Sequence, residues 1–373
     1  MTAPSGYQGL EAAGSGPDLP LVGQLLAYAA TGAPLSHGNR KFAWRPEGGD
    51  DRQFRWTIDG GLGPLLHRAT RDCADVVPPP WREALLSADL TARVRHGSLA
   101  DTALEIIDVC DRLQIRVTLL KGISVGEQLY PAEHLRPMAD IDVLIPVQAY
   151  ALVETALLDR GYDKLDHPAI DVHHHGAPLR HPRWRTIVEL HRGLFPDDSP
   201  LREDTVFSLS NVMLRSICSH YHGRPVRRLN PELQLVYMAS SWFNDLTLCK
   251  VHPSFIASLL DAIYLLAASG RTMNWSGMLE WLDNDMAKAS LYAMVTYLPR
   301  YGVQQLPSAT LEQLASTQTL VGPIQLKLIH GMLDRHLIGG RPWDLALPPP
   351  VPGRYSLRRQ FNKRIRNRLR RRA

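Results

Sequence analysis

Residues 119–146 read LLKGISVGEQLYPAEHLRPMADIDVLIP, and this stretch decides the fold. Just before and into it, residues 115–120 (IRVTLL) are an apolar run with the length of a buried strand. Lys121-Gly122 makes a turn, and 123–130 form a short helix. Pro131 and Pro137 punctuate a loop. Residues 140–145 (DIDVLI) are a second strand, ended by Pro146. Residues 147–160 are helical and closed by Gly161. A loop rich in His, Pro and Arg covers 166–185, and 186–191 (TIVELH) are a third strand. The pattern predicts an α/β (α+β) fold: a small mixed β-sheet with helices packed against it.

The chemistry concentrates at Asp140-Ile141-Asp142. Side chains at i and i+2 of a strand share a face, so two carboxylates project together. At about 4 Å and an effective dielectric near 20 they repel by roughly 4 kcal/mol. Either one carboxylate takes up a proton or a cation sits between them. Hard oxygen ligands with room for substrate phosphates suit Mg²⁺. A plain solvated strand edge is the competing reading. The pair follows the Lys121-Gly122 turn by about 20 residues. Such a turn presents backbone N–H groups and a helix N-terminus to a phosphate. Lys121 adds a point charge, and Ser124 lies in the first turn of that helix. Glu189 is a third carboxylate inside an apolar strand, where a charge needs a partner. If its strand lies beside 140–145, Glu189 joins Asp140 and Asp142. His191 shares the Glu189 face, as a substrate contact or as a structural histidine.

Outward from this segment, Trp81 to Leu113 is helical, with Ser98 as a cap. Beyond 200 the reading is mostly helical: Leu233–Phe243, Ile256–Ala268, Ser276–Asp283, Ala287–Tyr297, 309–316 and 322–338. The expected organisation is a disordered N-terminus (1–20), an N-terminal extension (21–80), a catalytic domain (81–200), a helical domain (201–346), and a Pro-rich linker with a basic tail (347–373). The 373 residues carry a net charge of +5, but residues 354–373 hold ten Lys or Arg and no acid. The remainder is mildly acidic. In the tail, Leu357, Phe361, Ile365 and Leu369 recur every four residues and form an apolar stripe among arginines. Such a segment binds an anionic membrane surface, a nucleic acid or an acidic partner, or folds back on the acidic body.

The four cysteines, Cys73, Cys110, Cys218 and Cys249, form no CxxC pair, which argues against a cysteine zinc site and for a reducing, cytoplasmic setting. The N-terminus has no basic, apolar signal pattern, and Phe255–Ala268 is too short to span a bilayer. His173-His174-His175, with His167 and His181, form either a metal site or, as the favoured reading, a loop bordering the Glu189 strand. Trp242, Trp275, Trp281, Tyr237, Tyr264 and Tyr297 read as core.

Leu120-Lys121-Gly122, Arg136 with Asp140-Ile141-Asp142, and Glu189-Leu190-His191 together resemble a bacterial family of uncharacterised nucleotidyltransferases (the NTP_transf_5 type). That family lies in the DNA polymerase β-like nucleotidyltransferase superfamily. The resemblance covers roughly residues 80–300. The wider superfamily has Gly-Ser at the first turn where this chain has Lys-Gly, and more often Asp at the position of Glu189. A glycosyltransferase also uses an Asp-x-Asp pair, but there the pair usually ends a strand.

The resemblance implies Mg²⁺-dependent transfer of a nucleoside monophosphate from an NTP, ATP or GTP, with two ions (Mn²⁺ in their place as an alternative). Asp140 and Asp142 would hold one ion, and Glu189 would share the second. Lys121, Gly122, Ser124 and Arg136 would bind the nucleotide, unless Arg136 only pairs with a surface acid such as Glu133. The acceptor would be a peptide natural product, a small metabolite, a protein or an RNA. The alternatives are a non-catalytic binding protein with this fold and a toxin-like enzyme acting on tRNA or protein.

Overall fold

The apolar runs become strands and the 3.6-residue patterns become helices, as the computed structural model shows. It describes residues 21–32, 50–71, 77–165, 174–196, 199–201, 206–247, 255–303 and 306–338. The expected N-terminal disorder, the Pro-rich linker and the basic tail lie outside the described residues, as do His167 and His173.

Three helices open the chain: α1 (Leu21–Thr31), α2 (Asp50–Asp59) and α3 (Gly63–Thr70). The long α4 (Pro79–Arg112) follows, with prolines in its first turn where missing N–H groups cost nothing. Ser98 is not a cap. It lies inside this single helix and its hydroxyl donates back to the Val94 carbonyl (3.4 Å). Nothing around Gly97 forces a break: the space about its Cα is open, and α4 runs on.

The sheet has seven strands in the order β3-β4-β5-β2-β1-β7-β6. They are β1 (Thr118–Leu119), β2 (Asp140–Leu144), β3 (Asp163–Lys164), β4 (Leu179–Arg180), β5 (Ile187–His191), β6 (Ser216–Tyr221) and β7 (Arg224–Leu229). β2 pairs in parallel with β5 and antiparallel with β1, and β1 pairs in parallel with β7. Between them lie α5 (Lys121–Leu129), α6 (Tyr150–Leu158) and α7 (Leu209–Leu214). The region beyond 200 is predominantly helical, and ahead of its long helices it adds the β6–β7 hairpin to the sheet. The hairpin's two-residue turn, His222-Gly223, has both φ angles positive (+45° and +80°), the geometry that matches strand twist. β6 is the sheet edge and β7 carries Pro225, and both are rich in polar residues, so they lack the apolar alternation that marks a strand.

The C-terminal region is α8 (Pro231–Thr247), α9 (Phe255–Ser269), α10 (Trp275–Trp281), α11 (Asp285–Tyr297), α12 (Ser308–Thr317) and α13 (Pro323–Met332). Among the described residues no helix is long and apolar enough to cross a membrane.

Two hydrophobic clusters divide the interior. One joins Ile141, Val143, Val188 and Leu190 to α4 and α6 residues such as Ile106, Ile107 and Val153. The other joins α1 and α3 to α8, α9 and α11, and reaches the sheet through Leu144 and Leu120. Period-2 alternation therefore splits β2 and β5: odd-numbered β2 positions face α4, and the acids face the helical side.

Candidate functional site

The parallel register of β2 and β5 sets Asp140 opposite Ile187, Asp142 opposite Glu189 and Leu144 opposite His191. Asp140, Asp142, Glu189 and His191 thus share the face turned away from α4. On that face Asp142 Oδ1 accepts two bonds, from Lys121 Nζ (3.0 Å) and from His191 Nε2 (2.7 Å). His191 Nε2 also lies 3.6 Å from Glu189 Oε2, and His175 Nε2 lies 3.8 Å from the same oxygen. Donor atoms of Asp142, Glu189 and His191 all fall within 4.8 Å of one another. Among the described residues this is the group of three able to hold a metal ion, and Asp140 stands beside it rather than in it.

Lys121 reaches Asp142 because of where α5 begins. The Leu120 N–H donates to the Asp142 carbonyl (3.1 Å), which pins the helix start beside β2. Lys121 itself takes the left-handed conformation (φ +45°). For a residue with a Cβ that costs about 1–3 kcal/mol, a strain that clusters at functional sites. The next residue, Gly122, is closely packed. A Cβ on Gly122 would lie 2.6 Å from Arg136 Nη1 and 2.7 Å from the Met138 side chain.

The electrostatics are those of crowded acids. Burial and the neighbouring Asp142 push Asp140 up to about 6. Burial pushes Asp142 the same way, but Lys121 and the His191 bond outweigh it and hold it well below the usual carboxylate range. Glu189 is also lowered, its burial outweighed by the bond from His191. Burial opposes a charged His191, yet its bonds to Asp142 and Glu189 raise it above an ordinary histidine. Three acids face one lysine and one histidine, so the patch keeps an excess of negative charge. Two carboxylates and an imidazole with converging donor atoms fit a divalent cation.

Arg136 does not join the acids. Its guanidinium forks onto Asp261 of α9, Nε to Oδ1 (3.2 Å) and Nη2 to Oδ2 (2.7 Å), and Nη1 donates to the Pro137 carbonyl (2.6 Å). The Tyr130 hydroxyl donates to the same Asp261 (2.6 Å). Glu133 instead takes bonds from His96 (2.8 Å) and His222 (3.2 Å). Ser124 is buried in α5, its carbonyl accepting a bond from the buried Arg228.

One group near the site escaped the sequence reading. Tyr237 of α8 is buried, and its hydroxyl has no hydrogen-bond partner. Burial raises it, and the charges of Lys121, Asp142 and Glu189 act on it as well. Its helical spacing marks it only as core. His174 and His175, read in the sequence as a metal site or a loop bordering the Glu189 strand, do lie beside that strand. A bridge between His175 and His191 lays this segment along the end of β5, where the His174 carbonyl accepts from Arg192 N (2.6 Å) and Gly193 N (3.2 Å). Burial and the adjacent His191 push His174 down to about 2, so its ring is neutral. The run of three histidines was the available signal. His181 sits elsewhere, on Glu105 (3.1 Å).

A mixed sheet with a helix-start lysine, an Asp-x-Asp strand and a parallel Glu-Leu-His strand defines a nucleotidyltransferase-fold protein with a candidate metal cluster. The family model for uncharacterised nucleotidyltransferases (NTP_transf_5) matches residues 46–301, and the chain belongs to that family. Two solved structures are similar. One is an antigenic nucleotidyltransferase-like protein from Paracoccidioides brasiliensis, at 16% identity over 58% of this chain and 97% of that one, with a TM-score of 0.40. The other is the antibiotic-resistance factor ANT(2'')-Ia, at 13% identity over 48% of this chain and 95% of that one, with a TM-score of 0.31. No curated protein matches the chain.

Proposed function

We propose that this protein moves a nucleoside monophosphate from an NTP, ATP or GTP, to an acceptor hydroxyl or phosphate on a peptide natural product or small metabolite. The observation that carries the reading is the register of Asp142 against Glu189, with Asp140 on the same face. Divalent cations, two Mg²⁺ or Mn²⁺, held by Asp140, Asp142 and Glu189 would offset the triphosphate charge and lower the pKa of the acceptor hydroxyl. Lys121 and the start of α5 bind phosphate oxygens, the lysine as a point charge and the helix end as an anion site. Gly122 lets Arg136 and Met138 close against that helix start. Arg136 acts from Asp261 as a positioning group, holding the loop that delivers Asp140.

The test is incubation of the full chain with each labelled NTP and Mg²⁺ or Mn²⁺, wild type beside Asp140→Ala/Asp142→Ala, with folding checked by circular dichroism. Nucleotide binding and transfer that persist unchanged in the double variant sink the assignment. One observation favours a second reading, a non-catalytic binding protein: the Asp142 oxygen already bonds to Lys121 and His191. Calorimetry with MgATP and MgGTP separates the two, since no heat with either favours the binding protein.

A further inference from the structure

The loop histidines and the unpartnered ring nitrogens bear on which ion the site holds, and the inference rests on the cation-site reading above. We propose that His191 is a direct ligand of the bound cation, which makes the centre a two-carboxylate, one-imidazole site that prefers Mn²⁺-class ions to Mg²⁺.

The geometry is the first argument. His191 Nε2 lies 2.7 Å from Asp142 Oδ1 and 3.6 Å from Glu189 Oε2. Neighbouring ligands held at about 2.1 Å from one ion are about 3.0–3.4 Å apart, so the observed spacings bracket a ligated set. The ring is fully buried, and the register that seats Glu189 opposite Asp142 seats His191 one pleat further along the same face. Asp140, by contrast, lies outside the convergent trio.

The surroundings are the second argument. The other ring nitrogen, His191 Nδ1, is buried without a hydrogen-bond partner, and so is His174 Nδ1. The two rings are 5.0 Å apart by centroid, and the His175 ring is 5.3 Å from His191. Packing against the His174 and His175 rings holds the His191 ring in place, without the second-nitrogen hydrogen bond that orients most ligating histidines. Lys121 is the cation on Asp142 in this state, and an entering metal ion takes over its place on that carboxylate.

Chemistry decides the ion. Mg²⁺ demands oxygen ligands and retains its waters, whereas imidazole with carboxylates suits Mn²⁺, Co²⁺ and Zn²⁺. A purely supporting His191, hydrogen-bonded to Asp142, would predict no such preference.

Pulsed electron paramagnetic resonance of Mn²⁺ added alone to the metal-free full chain tests this. The expected spectrum shows ¹⁴N coupling, and that coupling changes to the ¹⁵N pattern when histidine is ¹⁵N-labelled. His191→Gln should lose the coupling and weaken Mn²⁺ binding by more than the roughly 10–100-fold that loss of an outer-shell partner costs. His174→Ala and His175→Ala should each retain the coupling. Mg²⁺ should displace Mn²⁺ only in more than about tenfold excess. Bound Mn²⁺ without nitrogen coupling, or coupling that survives His191→Gln, overturns the ligand assignment and leaves the cation site standing. Failure of wild type to bind either ion overturns both. Should His191→Gln not fold, the labelled wild type with the His174 and His175 variants still assigns the nitrogen.

Discussion

Asp142 and Asp261 are both buried aspartates paired with a cation, and they differ in how the charge closes. Asp261 uses both oxygens: Arg136 forks onto the pair, and Tyr130 adds a third bond. One negative charge meets one positive charge, and the group ties the β2 entry loop to α9. Asp142 carries Lys121 and His191 on a single oxygen and stands among Glu189 and a raised Asp140. The first arrangement is complete and holds the structure together. The second has surplus acid that an added proton or cation would offset. Burial alone therefore does not mark a functional acid; unclosed charge does.

The largest expected effect tests that contrast directly. Asp261→Ala leaves a buried Arg136 without its partner and should cost about 3–5 kcal/mol in urea unfolding. Asp142→Asn should cost clearly less stability while abolishing cation binding by calorimetry. Equal stability losses in the two variants would break the comparison. Gly122→Ala comes next. Its methyl group meets Arg136 and Met138, and overpacking of this kind costs about 1–3 kcal/mol. A neutral or stabilising Gly122→Ala would show that Arg136 does not brace the helix start.

The smallest effect concerns a third network, at the surface. Glu133 bridges His96 of α4 and His222 of the β6–β7 turn. Burial pushes Glu133 up, but the bond from His96 and the charge of His222 bring it below its ordinary 4.5. A carboxylate lowered on folding stabilises above its unfolded value, and that contribution fades as pH falls through the folded one. Wild type should therefore lose stability between about pH 5 and pH 3, and Glu133→Gln should flatten that part of the profile. An unchanged slope would remove Glu133 from the acid-sensitive groups.

The strands that carry the acids were legible because apolar alternation is a local property. DIDVLI and TIVELH announce which residues share a face. The Arg136 partner was not legible, since Asp261 is 125 residues further on and reads as one polar position in an apolar helix. The hairpin at 216–229 was hidden because buried positions such as Tyr221, Val226, Arg228 and Leu229 are too few and too mixed among arginines and serines to form an apolar alternation. Tyr237 was visible only as a core residue, because helical spacing reports burial and not what a hydroxyl faces.

The local residue pattern set the elements around the site and the shared face of Asp140 and Asp142. The tertiary structure alone decided that β2 and β5 lie parallel with Asp142 against Glu189, that His191 turns its Nε2 onto them, and that α1–α3 pack with the C-terminal helices. The physical reason is range: side-chain periodicity is fixed by the backbone over a few residues, whereas pairing partners are chosen by burial across the whole chain.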